Sequence, residues 1–117
     1  MRLNEINYSD AKPVEGYGPG FFFFLCDVWQ GAVLTGSNGT QNWAGYSDVD
    51  ALLALSDQID VLFVGTGGEI AHLPQDFRAA LEAAGLGVDA MSSPAACRTY
   101  NVLLSEGRRI ALALIPV

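Results

Sequence analysis

The chain has 117 residues, half of them hydrophobic, which is the size and composition of one domain able to bury its own core. Thirteen acidic residues against six basic ones leave a net charge of −7, which argues against binding through a nucleic acid backbone and against a basic membrane-surface domain. No apolar run approaches the ~20 residues that cross a bilayer.

The N-terminus, Met1-Arg2-Leu3-Asn4-Glu5, carries no apolar signal region, so the expected location is the cytoplasm, without membrane insertion. Cys26 and Cys97 stand far apart and form no CxxC pair, so neither a zinc site nor a dithiol redox motif is expected. Two reduced, buried thiols are the preferred reading over one long-range disulfide. The sequence has no repeat, low-complexity stretch or linker, so residues 1–117 are read as a single domain.

In chain order, Ile6-Asn7-Tyr8 reads as a short strand. Gly16-Tyr17-Gly18-Pro19-Gly20 has turn chemistry. Phe21 to Cys26 reads as a buried strand and Ala32 to Thr35 as the next. Asn38-Gly39 within Ser37-Asn38-Gly39-Thr40 signals a hairpin, with Trp43 on the returning strand. Ser47-Asp48-Val49-Asp50 predicts an N-cap and an acidic first turn, opening a short helix through Leu55.

Val61-Leu62-Phe63-Val64 is apolar throughout, as in a strand covered on both faces, and ends in Gly65-Thr66-Gly67-Gly68. A helix is predicted from Pro74 to Ala84, with Pro74 at its first position, Phe77, Leu81 and Ala84 on one face, and Gly85 as its left-handed end. Leu86 to Met91 is the next strand. Ser93 caps and Pro94 opens a helix to Glu106 that Gly107 ends, and Ile110 to Ile115 is the last strand. The second half therefore reads strand, helix, strand, helix, strand, a βαβαβ unit with right-handed crossovers. The first half reads as antiparallel hairpins, and the whole as a mixed α/β domain.

Two strand-to-helix loops, Gly65 to Gly68 and Ser92-Ser93, would fall at the carboxyl edge of the parallel strands, where open α/β sheets bind ligands. Their glycines, with Thr66, Ser92 and Ser93 as hydroxyl donors, suit a small anionic or carbonyl ligand. The alternative is a tight turn, since the pattern is neither GxGxxG nor a P-loop. On the following helix, Arg98, Asn101 and Ser105 share one face, while Cys97, Tyr100 and Leu104 share the adjacent one. Two readings stand for the first face. Arg98 pairs with Asp89 or Glu106 while Asn101 satisfies backbone groups, or Arg98 and Asn101 hold an anion. Cys97 in the first turn is a nucleophile candidate only if His72, the sole histidine, serves as its base. Without that pair the cysteine is a small core residue. No His, Cys and carboxylate cluster signals a metal, and no cofactor is expected.

In Phe21-Phe22-Phe23-Phe24, alternation buries one pair and turns the other toward a second layer or a partner. Trp29 and Trp43 suit either role.

The stretch Ala95-Ala96-Cys97-Arg98-Thr99-Tyr100-Asn101-Val102-Leu103-Leu104, followed by Glu106-Gly107-Arg108-Arg109 and Ala113-Leu114-Ile115-Pro116, resembles the Mth-like domain family. Gly16 to Gly20, Val61 to Gly67 and Leu73-Pro74 also resemble family segments. The resemblance implies a compact domain with a central mixed sheet flanked by helices and no established enzymatic activity. Its best understood branch assists assembly of a respiratory membrane complex. Four phenylalanines stand here where the family tends toward a less aromatic strand with basic residues. The expected function is thus a non-enzymatic interaction or assembly domain with a protein partner, homo-oligomerisation being left open. The alternative is a small-molecule or anion site, catalytic or not, built from Gly65, Thr66, Gly67, Gly68, Ser92, Ser93, Cys97, Arg98 and Asn101.

Overall fold

The computed structural model describes residues 13–24, 27–36 and 39–117. The predicted strand at Ile6-Asn7-Tyr8, the residue Cys26 and the Ser37-Asn38 pair lie outside the described residues. Three short strands, β1 (Val14–Gly18), β2 (Phe21–Phe24) and β3 (Asp27–Gln30), form an antiparallel sheet of their own. Alternation decides its sides: Phe22 and Phe24 are fully buried, while Phe23 is 38% exposed.

The second sheet has five strands among the described residues. A hairpin of β4 (Val33–Gly36) and β5 (Gly39–Asn42) supplies two of them, with Gly36 opposite Gly39 and a positive φ at Gly39. Trp43 falls one residue past the returning strand. There its backbone N–H donates to the Ala32 carbonyl, and its ring is buried against Tyr46 and Phe77. The remaining strands are β6 (Val61–Gly65), β7 (Gly87–Met91) and β8 (Ile110–Leu114), mutually parallel. The order is β5-β4-β8-β6-β7, so β8 enters the middle, antiparallel to β4 and parallel to β6. The expected mixed architecture is present, with the refinement that only the second hairpin joins the parallel unit.

Helix α1 (Val49–Leu53) is shorter than expected and has no side-chain cap at Asp48, because a 3-10 turn, Gly45–Ser47, leads directly into it. Helix α2 (Gln75–Ala83) starts after Pro74, which occupies the cap position rather than the first helical one. At its end Gly85 has φ +89°, its N–H donates to the Glu82 carbonyl, and the Leu86 N–H donates to the Leu81 carbonyl. That is a Schellman end, with Leu86 and Leu81 both buried. Helix α3 (Ser93–Ser105) is capped by Ser92, not Ser93: the Ser92 hydroxyl accepts from the Ala95 N–H at 3.4 Å. Ser93 is already helical and fully buried.

The apolar strands are covered on both faces, as their composition requires. One face carries Phe63, Ile110, Leu112, Leu114 and Val33, packed on Cys97 and Tyr100 of α3 and on Phe22 and Phe24 of the small sheet. The other carries Leu62, Val64, Ala111, Ala113 and Leu34, packed on Leu52 of α1 and Phe77 and Leu81 of α2. The β6–α2–β7 and β7–α3–β8 connections run across the sheet in opposite directions. Crossovers of one hand must then place their helices on opposite faces, as α2 and α3 are.

Candidate functional site

The two glycine- and serine-bearing loops do converge at the carboxyl edge of β6, and they converge on each other. Gly65 leaves no room for a side chain: a Cβ there would stand 2.8 Å from the Ser93 Cα and 2.6 Å from its Oγ. Gly67 has φ +109°, which favours glycine. Its carbonyl accepts the Ser93 N–H at 2.7 Å, and its N–H donates to Ser93 Oγ at 3.0 Å. The Ser93 hydroxyl in turn donates to the Ile115 carbonyl at 2.6 Å, and the Ile115 N–H donates to the Gly65 carbonyl at 2.9 Å. Thr66 is equally committed. Its N–H donates to the Met91 carbonyl, its hydroxyl to the Glu69 carbonyl at 2.7 Å, and its Oγ1 accepts from the Ala71 N–H at 3.0 Å. The hydroxyls expected to face a ligand are thus spent within the protein: Ser93 ties the Gly67 loop to the residue after β8, Thr66 closes its own loop against the end of β7, and Ser92 caps α3. Gly68, exposed, sits beside Val117.

The α3 residues point three ways. Cys97 is a free, buried thiol in the α3 core. Burial pushes its pKa up to about 12, and the neighbouring Arg98 guanidinium pulls it down only in part. A neutral thiol is a poor nucleophile. His72 is exposed, Leu73 beside it packs in the cluster on the sheet face opposite Cys97, and among the described residues no hydrogen bond joins the pair considered for catalysis. Arg98 is exposed and lines a shallow surface depression with Thr99, Val102 and Leu103, none of them from the two loops. The ion pairs among the described residues are Arg78–Glu82 at 3.2 Å and Arg109–Asp60 at 3.6 Å; neither includes Arg98.

Asn101 turns to the small sheet. Its Oδ1 accepts the Val14 N–H at 2.9 Å and its Nδ2 donates to the Val14 carbonyl at 2.8 Å. The backbone-satisfying role is the one the geometry shows. Tyr100 is fully buried, and its hydroxyl makes no hydrogen bond among the described residues. Desolvation lifts its pKa to about 12, with the nearby Thr35 side chain acting in the opposite direction. Thr35 Oγ1 is itself 2.8 Å from Thr40 Oγ1.

A larger groove, about 340 Å³, escaped the sequence reading. Ile70, Ala71, His72, Leu73, Arg78, Asp89 and Ala90 line it, beside the edge strand β7. No local motif marks it, because its position depends on β7 being the outermost strand. Among the described residues, no cluster of three His, Cys, Asp or Glu is placed to hold a metal. Nor, among them, is any helix long and apolar enough to cross a membrane.

This architecture, a mixed five-stranded sheet with a small antiparallel sheet packed on one helix face, is the Mth938-like α/β class. A solution structure of a Bordetella pertussis protein described as a Mth938-like domain superposes with a TM-score of 0.75 at 27% identity, covering 99% of this chain and 92% of that one. The chain belongs to the DUF498/DUF598 family, described as proteins of unknown function, whose profile matches residues 14–115. An uncharacterised protein of Rhodobacter capsulatus is 44% identical over the whole chain, which spans 94% of that relative. The zebrafish NADH dehydrogenase [ubiquinone] 1 alpha subcomplex assembly factor 3 is 34% identical over 80% of the chain, which spans 54% of that protein's length. A crystal structure described as an outer membrane protein from Bartonella henselae has a TM-score of 0.83 at 35% identity, covering 92% of this chain and 96% of that one.

Proposed function

We propose that this domain works by binding protein, as a non-catalytic factor in the assembly of a larger complex, and that the complex is a respiratory membrane complex. The observation that carries this reading is the relationship to assembly factor 3, which runs through 80% of the chain. The chain spans about half of that relative, so what the whole relative does comes here as a proposal only. The site geometry supports the same reading: the hydroxyls of Thr66 and Ser93 and the amide of Asn101 hold the fold together, and the Cys97 thiol is buried and neutral. The small-ligand reading finds those donors already used.

The test is deletion of the gene in its host, followed by native gels of the respiratory complexes. The expected result is a loss of assembled complex while its subunits are still made, restored by the intact chain. Unchanged assembly would overturn the reading.

A further inference from the structure

Among the described residues, β7 is an edge of the five-stranded sheet, and part of its main chain is turned outward. The Gly87 N–H donates to the Asp60 carbonyl, and the Met91 carbonyl accepts the Thr66 N–H. Gly87, Asp89 and Met91 therefore turn their peptide groups toward β6, and Val88 and Ala90 turn theirs away. Arg78 Nη2 donates to the Val88 carbonyl at 3.2 Å. Among the described residues, the Val88 N–H and both main-chain groups of Ala90 have no partner. The groove of about 340 Å³ lies beside them, and Ile70, 68% exposed, lines it. That exposure is held in place. The Thr66 hydroxyl donates to the Glu69 carbonyl and accepts the Ala71 N–H, fixing the chain on either side of Ile70. The Thr66 N–H ties the same loop to Met91 at the end of β7. Ile70, Leu73 and the small side chain of Ala90 thus share one groove with unpaired main-chain groups.

We propose that this edge takes up an extended segment of a partner protein as an added antiparallel strand, with an apolar side chain in the groove and a basic one beside Asp89. The proposal rests on the protein-binding reading above and names the surface that performs it. Unpaired N–H and C=O groups along a strand edge select an extended backbone, since a helix keeps its own groups paired. Antiparallel pairing is the stronger ladder. Register puts Ala90 beside Val64, on the α2 face, so the residue added opposite Ala90 sends its side chain to the face where Leu73 packs. The next residue falls opposite Asp89, which register puts on the other face beside Phe63. Asp89 is exposed and outside the ion pairs among the described residues, and an opposite charge directly across a ladder stabilises it. A second copy suits this edge poorly. Pairing Val88 with Ala90 of that copy sets Asp89 against Asp89, between chains that each carry −7.

Short designed peptides test this by amide NMR titration and hydrogen exchange. One alternates isoleucine and lysine, one alternates isoleucine and glutamate, and a third is the first with its isoleucine nitrogens methylated. The isoleucine–lysine peptide is expected to shift the Val88 and Ala90 amides saturably and to slow their exchange. The methylated peptide keeps the side chains but loses the donors that meet the Ala90 carbonyl, and should bind at least tenfold more weakly. Asp89→Lys should transfer the preference to the glutamate peptide. Ala90→Pro removes an N–H that no strand among the described residues uses, a change edge strands tolerate, and should abolish the response in a protein whose spectrum stays dispersed. Equal response to the lysine and glutamate peptides, undiminished binding of the methylated one, shifts centred on another surface, no response at the peptide's solubility limit, or a dimer dissolved by Ala90→Pro would each overturn it. An unresponsive edge together with a positive deletion phenotype removes this surface and leaves the assembly reading standing. Failure of both removes the two together.

Discussion

Asn101 completes the small sheet by acting as a strand neighbour to Val14. Its amide accepts from the Val14 N–H and donates to the Val14 carbonyl, at 2.9 and 2.8 Å, across 87 positions of sequence. An Asn amide carries one acceptor and one donor group at the spacing a peptide group offers, so it can satisfy both main-chain groups of one residue at once. Replacing Asn101 by Asp removes the donor and sets a carboxylate against the Val14 carbonyl; by Ala it removes both bonds. Either change is expected to cost about 1–3 kcal/mol in urea unfolding. Amide exchange should accelerate first in Val14–Gly18. Exchange rising equally across β6 and β8 would contradict a local role for this staple.

Gly65→Ala tests the seam between the loops. The new methyl would collide with backbone of α3 and with Leu114 at 2.8 Å, so strand and helix must separate. A loss of roughly 3 kcal/mol or more is expected, at the upper end of overpacking costs. Gly68→Ala is the control, since its nearest neighbour would be Val117 at 3.5 Å, ordinary contact, and its thermal midpoint should stay near that of the parent.

The adjacent serines should separate cleanly. Ser93→Ala leaves the buried Gly67 N–H and Ile115 carbonyl without their shared hydroxyl and is expected to cost about 2–3 kcal/mol. Ser92→Ala removes only a half-buried cap with a long 3.4 Å bond and is expected to cost about 1 kcal/mol or less. Denaturant midpoints with unchanged slopes would give the comparison directly, and a larger loss at Ser92 would reverse the assignment of roles.

Stability should fall on the alkaline side. Cys97 has its folded pKa raised from 9.0 to about 12, and Tyr100 from 10.0 to about 12, both by burial. Raised folded values mean that the unfolded chain loses its protons first. The stabilisation is therefore full below about pH 9 and drains away between there and about 12. Each group contributes a slope of about 1.4 kcal/mol per pH unit only between its own unfolded and folded values, so Cys97 begins near pH 9 and Tyr100 near pH 10. Tyr100→Phe should flatten the upper part of the window. It should also change neutral-pH stability by no more than about 1 kcal/mol, because the hydroxyl has no well-formed hydrogen bond among the described residues to give up. Cys97 should react with a thiol reagent only at the rate of unfolding, and fast native-state labelling would contradict the buried, neutral thiol.

Local chemistry made much of this fold readable. Gly85 and Leu86 announced the end of α2, Pro94 fixed the start of α3 to within a residue, and the Phe21–Phe24 run divided its side chains as alternation demands. What local chemistry could not reach was anything decided by distant partners. Arg98 and Asn101 share a helical face, yet one meets solvent and the other meets Val14, because only half of that face lies under the small sheet. Ser92 and Ser93 are the same residue type in neighbouring places. Which of them caps depends on backbone angles, and which is buried depends on where β6 and β8 end. The hydroxyls at the loop edge had the composition of a ligand site, but donors at a sheet edge serve a ligand only when the protein has not already taken them.

The position of β8 has a consequence for how the molecule comes into being. Ile110–Leu114 occupies the middle of the five-stranded sheet, yet it is synthesised after both of its neighbours, β4 and β6. Until it emerges, the hairpin and the β6–β7 pair are separate fragments. Each shows an open edge and an apolar face to the cell, which is the condition that invites wrong pairing. A nascent chain of this design cannot be stabilised piece by piece. Its two halves become one sheet in a single late event, and shielding is needed most just before that strand arrives.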